Sequence, residues 1–139
     1  MKFYIGNQQI QDDSYVQIPD PSLLEHLADD AECTVIILAD VLRKYNLEQI
    51  RAVLQLCRKK LRLGGILKIV DVDFDLLIYV YGQLNNIVDL NAVFMQSEVR
   101  SLLNLELITE IMKSVAPDTS EVHFSRTSNI QFDVEFMRK

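Results

Sequence analysis

Little in this sequence interrupts or cross-links a chain. Only 4 Gly and 3 Pro stand among 139 residues, 49% of them hydrophobic, which excludes extensive disorder and points to a compact core. Two cysteines, Cys33 and Cys57, are too few for a disulfide framework. Both lie in apolar patterns and read as small buried hydrophobes. Two histidines, His26 and His123, lie far apart and make no pair with metal-ligand spacing. Neither G-x-S-x-G nor G-x-x-x-x-G-K-[ST] occurs, so no nucleophile elbow or phosphate loop is present. Basic residues are outnumbered 14 to 20, for a formal charge of −6, against the basic face of a general nucleic-acid binder. No apolar run approaches the ~20 residues that span a bilayer, and "MKFYIGNQQIQ" lacks the pattern of a signal peptide. A cytoplasmic protein of one domain, residues 1–139, is the expectation, with a small molecule or a protein as partner.

What is present is an alternation of strand and helix signals. "KFYI" (2–5) reads as a strand closed by Gly6, and "SYVQI" (14–18) as a second strand halted by Pro19 and Pro21. "PSLLEHLADD" has room for a helical turn or two. "CTVIILA" (33–39) is continuously apolar, which suits a parallel strand buried on both faces. Asn46 with Gln49 forms a capping box, and Ile50, Val53, Leu54, Cys57 and Leu61 then share one helical face. Arg58, Lys59, Lys60 and Arg62 gather where cations suit the helix dipole. Gly64 or Gly65 is expected to end the helix in the left-handed conformation. "ILKIVDV" (66–72) completes a strand–helix–strand unit of parallel strands. Asp73 can cap a helix over 73–84, 85–94 reads as a loop, and "SEVRSLLN" with "NLELITEIMKSV" as one or two helices. At the end Ile130, Phe132, Val134 and Phe136 alternate with polar residues, the mark of an antiparallel hairpin.

This order resembles the class I S-adenosylmethionine-dependent methyltransferases, in a small variant with a shortened front half. The resemblance rests on residues 35–73, "VIILADVLRKYNLEQIRAVLQLCRKKLRLGGILKIVDVD". There Asp40, Val41 and Leu42 match the start of "D-V-L-E-H". Arg58, Leu61, Gly64, Gly65, Leu67 and Ile69 match "R-V-L-K-P-G-G-x-L-x-I". "KFYIGNQQIQDDSYVQIPD" is similar to "L-x-I-G-x-G…G-Y-x-N-V-D", with Gly6 on the first glycine and Tyr15, Ile18 and Asp20 near the closing acid. The chain differs at Asn7, Gln8 and Gln9, where the family's cofactor loop has further glycines. It differs also at Arg43 and Lys44, in place of Glu and His, and at Leu63, in place of Pro.

The resemblance implies a three-layer, Rossmann-like α/β fold with a mostly parallel sheet and a C-terminal antiparallel hairpin. It also implies S-adenosylmethionine as cofactor. Gly6, Asn7, Asp20 and Asp40 are then the candidate cofactor residues, because ligands collect at the carboxyl ends of parallel strands. Asp20 either accepts from two ribose hydroxyls or is a solvent-facing turn residue between two prolines. Asp40 either touches ligand or caps the next segment, and Lys44 and Tyr45 are candidates for an acceptor pocket. No catalytic residue is assigned. Asp71, Asp73 and Asp75 read as caps and solvated acids, and no metal is expected. Two functions remain: methyl transfer to a small-molecule or sugar acceptor, and an inactive binding or assembly module, for which the residues around Phe94 and Leu102 either form a self-association face or belong to the buried core.

Overall fold

The structure is a computed structural model that describes residues 1–84, 99–127 and 130–139, with side chains through 79 in the first stretch. Its elements are β1 (Lys2–Ile5), β2 (Val16–Ile18), α1 (Leu24–Leu27), β3 (Cys33–Ala39), α2 (Leu47–Lys60), β4 (Leu61–Val72), α3 (Phe74–Leu84), α4 (Leu105–Val115), β5 (Thr119–Thr127) and β6 (Gln131–Arg138). One six-stranded sheet has the order β2-β1-β3-β4-β6-β5. The β2–β1–β3–β4 ladders are parallel, and β6 pairs antiparallel with both β4 and β5. This is the α/β class expected, terminal hairpin included.

The core follows from strand alternation. Phe3, Ile5, Ile36, Leu38, Leu67, Ile69, Phe132, Val134 and Phe136 are buried in one cluster with Leu24 of α1, Ile50, Leu54 and Cys57 of α2, and Ile108, Ile111 and Met112 of α4. The alternate residues Tyr4, Val35, Ile37, Lys68 and Val70 are half-buried. The run 33–39 is thus fully covered on one face and half-covered on the other. Among the described residues the core helices α1, α2 and α4 form a single layer on the sheet. Both cysteines are buried and unpaired, as expected.

α2 begins where its capping box lies. Asn46 Oδ1 accepts from the Gln49 N–H at 2.9 Å, and Gln49 Oε1 accepts from the Asn46 N–H at 3.0 Å. Three of the four basic residues at its far end, Arg58, Lys59 and Lys60, are engaged by structure. Arg58 is bidentate on Asp118, through Nε at 3.0 Å and Nη2 at 2.6 Å. Buried Lys60 donates to Ala28 O at 2.8 Å and pairs with Asp30 at 3.1 Å, and Lys59 donates to Glu25 at 3.4 Å.

Three expectations need correction or limits. The helix stops at Lys60 in an extended Leu61, so neither Gly64 nor Gly65 ends it. Instead, the β3–β4 register jumps from Cys33↔Leu61 to Val35↔Ile66, and the glycines build that bulge. Gly64 has φ +76°, and a Cβ on Gly65 would lie 2.9 Å from both Arg62 O and Cys33 O. Residues 99–104 are not helical: Leu103 O accepts from the Phe74 N–H at 2.8 Å, and Asn104 caps α4 only from 105 on. Ile130 sits in the hairpin turn with φ +58° rather than on the strand. The loop expected over 85–94, Phe94 with it, and residues 128–129 of the turn lie outside the described residues. No described helix is long and apolar enough to cross a membrane.

The bulge generates a ranking. Gly65→Ala forces a Cβ against two backbone oxygens and should cost about 1–3 kcal/mol. Gly64→Ala meets open space but an unfavourable φ, and should cost about 1 kcal/mol. Urea midpoints of the two variants report the order, and a reversal would remove the tight contact at Cys33.

Candidate functional site

The chain lays β2 on one side of β1 and then crosses to lay β3 on the other. This is a topological switch point, and in open α/β sheets ligands bind beyond the carboxyl ends of the strands there. Gly6 and Asp40 directly follow the two strands that flank it. The Gly6 N–H donates to Ile18 O at 3.1 Å, and a Cβ at Gly6 would lie 2.8 Å from Ala39 O. Gly6 therefore lets the two strand ends close together. Asp40 has φ +57°, a conformation that Asp tolerates better than most residues, and its N–H donates to Val70 O at 2.8 Å. It turns the chain out of the sheet and into the 3-10 turn Leu42–Lys44.

A charged network closes this end of the sheet. Asp40 Oδ1 accepts from Arg43 Nη1 at 2.8 Å and from Gln131 Nε2 at 2.8 Å. Arg43 Nη1 also reaches Asp71 Oδ1 at 3.3 Å, and the Arg43 N–H donates to Asp71 Oδ2 at 3.3 Å. Asp71 is fully buried, and its Oδ1 also accepts from the Val72 N–H at 2.8 Å. Burial pushes the Asp71 carboxyl up to about 6, against the opposing pull of the Val72 N–H and Arg43. Arg43 O accepts from the N–H groups of Arg100 (2.7 Å) and Ser101 (3.1 Å), and Ser101 Oγ donates to Tyr45 O. The segment around Ser101 is thereby docked behind Arg43 and Tyr45.

Beside the network opens a cleft of about 240 Å³, lined by Asn7 and Gln8 after β1, by Asp40 after β3, and by Arg43, Lys44 and Tyr45 of the following turn. Four candidates read from the sequence, Asn7, Asp40, Lys44 and Tyr45, thus come together. Asp20 does not join them. It lines a second, mostly apolar groove of about 250 Å³ with Tyr45, Gln49, Val53 and Leu56. There its Oδ1 accepts from the Ser22 N–H at 2.9 Å and caps the turn Pro21–Leu23. Tyr45 walls both spaces. Burial, and then the charge of Asp20, hold its hydroxyl above the usual tyrosine range.

The three aspartates after β4 go separate ways. Asp71 serves Arg43. Asp73 accepts from Arg126 Nε at 2.6 Å and from the N–H groups of Asp75 (3.1 Å) and Leu76 (3.4 Å), capping α3 as expected. Asp75 accepts from Asn104 at 3.2 Å. Among the described residues no group of acids, cysteines and histidines could hold a metal ion. Sequence reasoning missed Arg43 as a hub and Gln131 altogether. Arg43 was visible as a departure from the family pattern, whereas Gln131, 91 residues from Asp40, carried no local signal.

Comparison with solved structures gives the fold. The chain is similar to the magnesium protoporphyrin IX methyltransferase of Synechocystis, solved with bound SAH, at TM-score 0.61 and 16% identity over 90% of this chain and 51% of that one. It is similar to an O-methyltransferase family 2 protein of Planctomyces limnophilus, in complex with apigenin, at TM-score 0.62 and 20% identity over 90% and 35%. It is similar to a SAM dependent methyltransferase of Archaeoglobus fulgidus at TM-score 0.60 and 10% identity over 89% and 67%. The chain has the class I methyltransferase fold, and it spans about half of the first of these proteins and a third of the second. No family model matches the sequence, and no curated protein does.

The network has a pH signature. The folded-state value of Asp71 is raised, so its ionisation opposes folding: the cost is absent below pH ~4 and complete above about 6. Asp71→Asn should flatten the stability profile between pH 4 and 7 by an amount on the order of 2 kcal/mol, read from urea midpoints across that range. Parallel profiles for the two proteins would show that Asp71 ionises as freely as in water.

Proposed function

We propose that this chain binds S-adenosylmethionine in the cleft at the ends of β1 and β3 and directs its methyl group to a small-molecule or sugar acceptor. One observation carries the reading. The cleft stands at the switch point of a sheet shared with methyltransferases, one of them solved with SAH.

The residues present fit such a ligand. The amides of Asn7 and Gln8 both donate and accept, as the mixed polar groups of an amino acid and a nucleoside require. The Asp40 carboxylate, though paired with Arg43, keeps lone pairs for an ammonium. Arg43 Nε is a buried donor with no acceptor among the described residues. The ring of Tyr45 offers a flat apolar wall to a purine. When bound, the cofactor supplies an activated methyl on sulfur. The part left to the protein is to hold the acceptor in line with it and to keep water out.

A second reading, a binding or assembly module that transfers nothing, is favoured by the β1–β2 connection. Parallel strands are usually joined by a dozen or more residues that include a helix. That helix's N-terminus would offer N–H groups to an anion. Here residues 6–15 contain no helix. The Gln17 side chain ties the connection to β2 by donating to Gln8 O and accepting from the Ile10 N–H at 3.4 Å.

Titration calorimetry with S-adenosylmethionine and with SAH separates the two. Dissociation constants below about 1 mM for either, at least 4 kcal/mol of binding, are expected for the first reading. Silence toward both ligands, persisting in the Asn7→Gly, Gln8→Gly double variant, would leave the module.

A further inference from the structure

We propose that the acceptor taken by this cleft is a small molecule bearing a carboxylate, which Lys44 holds by its charge, and that the product is the methyl ester. This rests on the cofactor reading above and names the substrate class for the same site.

Two observations carry it. The first is an unpaired cation. Arg43 is committed to Asp40 and Asp71. Lys44 lines the same cleft half-buried, and among the described residues its ammonium makes no ion pair or hydrogen bond. Of the two cations that line the cleft, Arg43 is paired with carboxylates and Lys44, among the described residues, is not. A lysine is a compact point charge with three rotatable donors, suited to a carboxylate whose exact placement is set by other contacts.

The second observation is the lack of a base. The chain's two histidines stand outside the cleft and exposed, His26 on α1 and His123 on β5. Both cysteines are buried, and burial pushes the Cys57 thiol up to about 12. Tyr45 is protonated at neutral pH as any ordinary phenol is, and burial moves its hydroxyl further in that direction. Asp71 is sealed behind Arg43, and Asp40, paired with Arg43 and Gln131 through Oδ1, gives its remaining lone pairs to the cofactor's ammonium in the reading above. Among the described residues, none in the cleft is free to take a proton from an alcohol. A carboxylic acid needs no such help, since it is ionised well below pH 7.

The step balances without an added reactant. A lone pair on the carboxylate oxygen forms the new O–CH3 bond. The methyl carbon–sulfur bond breaks and its electron pair stays on sulfur. The sulfonium becomes a neutral thioether, the carboxylate becomes a neutral ester, and no proton is released. Lys44 touches the substrate throughout and exchanges no bond.

The test uses probes of one shape and two charges. The chain saturated with SAH is titrated with benzoate, benzyl alcohol and inorganic phosphate. Benzoate should bind at least about tenfold tighter than benzyl alcohol, a preference that shrinks as salt is raised. Lys44→Gln should bring benzoate down to the level of the alcohol. Equal affinities in the wild type, a preference that survives Lys44→Gln, or tighter binding of phosphate than of benzoate would each overturn the proposal. SAH titrations of both proteins report separately on the cofactor. Should SAH not bind, ester formation falls with that reading, and the benzoate preference of the protein alone still decides whether Lys44 makes a carboxylate site.

Discussion

The side-by-side alignment of β1, β3 and β4 is the constraint on which the rest of the molecule depends. Ile5 stands opposite Leu38, Leu38 opposite Ile69, and Ala39 opposite Val70, so β1 and β3 end within one residue of each other and β4 runs two residues past β3. Because they point the same way, the chain leaves all three ends on one side of the sheet. Gly6 allows the closeness of the first two, and the Asp40 N–H bonded to Val70 O ties the second to the third. A polar turn at one end is therefore within reach of the others, and a cleft forms where β1 and β3 diverge in their connections.

Arg43 converts that closeness into an electrostatic arrangement. A single guanidinium serves the partly buried Asp40 and the fully buried Asp71. A buried carboxylate without such a partner would stay protonated or destabilise the sheet end. The backbone of the same residue receives the Arg100–Ser101 segment, so the wall of the cleft is held from behind as well. The outcome is a cleft in which Arg43 is committed to two carboxylates, while the other cation, Lys44, has no partner among the described residues and shares the lining with the amides of Asn7 and Gln8. The absence of a helix between β1 and β2 fits the same pattern. With no helix N-terminus in that connection beside the cleft, positive charge there comes from the side chains of Arg43 and Lys44.

Much of the fold was legible because its signals are local. The capping box of α2, the apolar stripe Ile50–Leu54–Cys57 and the alternation of Phe132, Val134 and Phe136 each arise within a few residues, and the structure has all of them. Legibility failed where a residue's conformation answers to a distant neighbour. The glycines after α2 looked like a helix stop. They are a bulge because β4 begins at Leu61 and must pass Cys33. The segment before α4 looked helical but spends its backbone groups on Phe74 and Arg43.

The same division runs through the site. Sequence alone determined that parallel strands would end at Gly6 and Asp40, that the cysteines would be buried, and that Asn7, Asp40, Lys44 and Tyr45 were worth bringing together. Those are matters of periodicity and of residue order along strands. Only the tertiary structure decided that Asp20 belongs to a turn beside another groove, that Arg43 joins Asp40 to Asp71, and that Gln131 reaches back from the last strand. Such pairings depend on which strand lies next to which, and burial fixes their strength; neither quantity is written in any short stretch of chain.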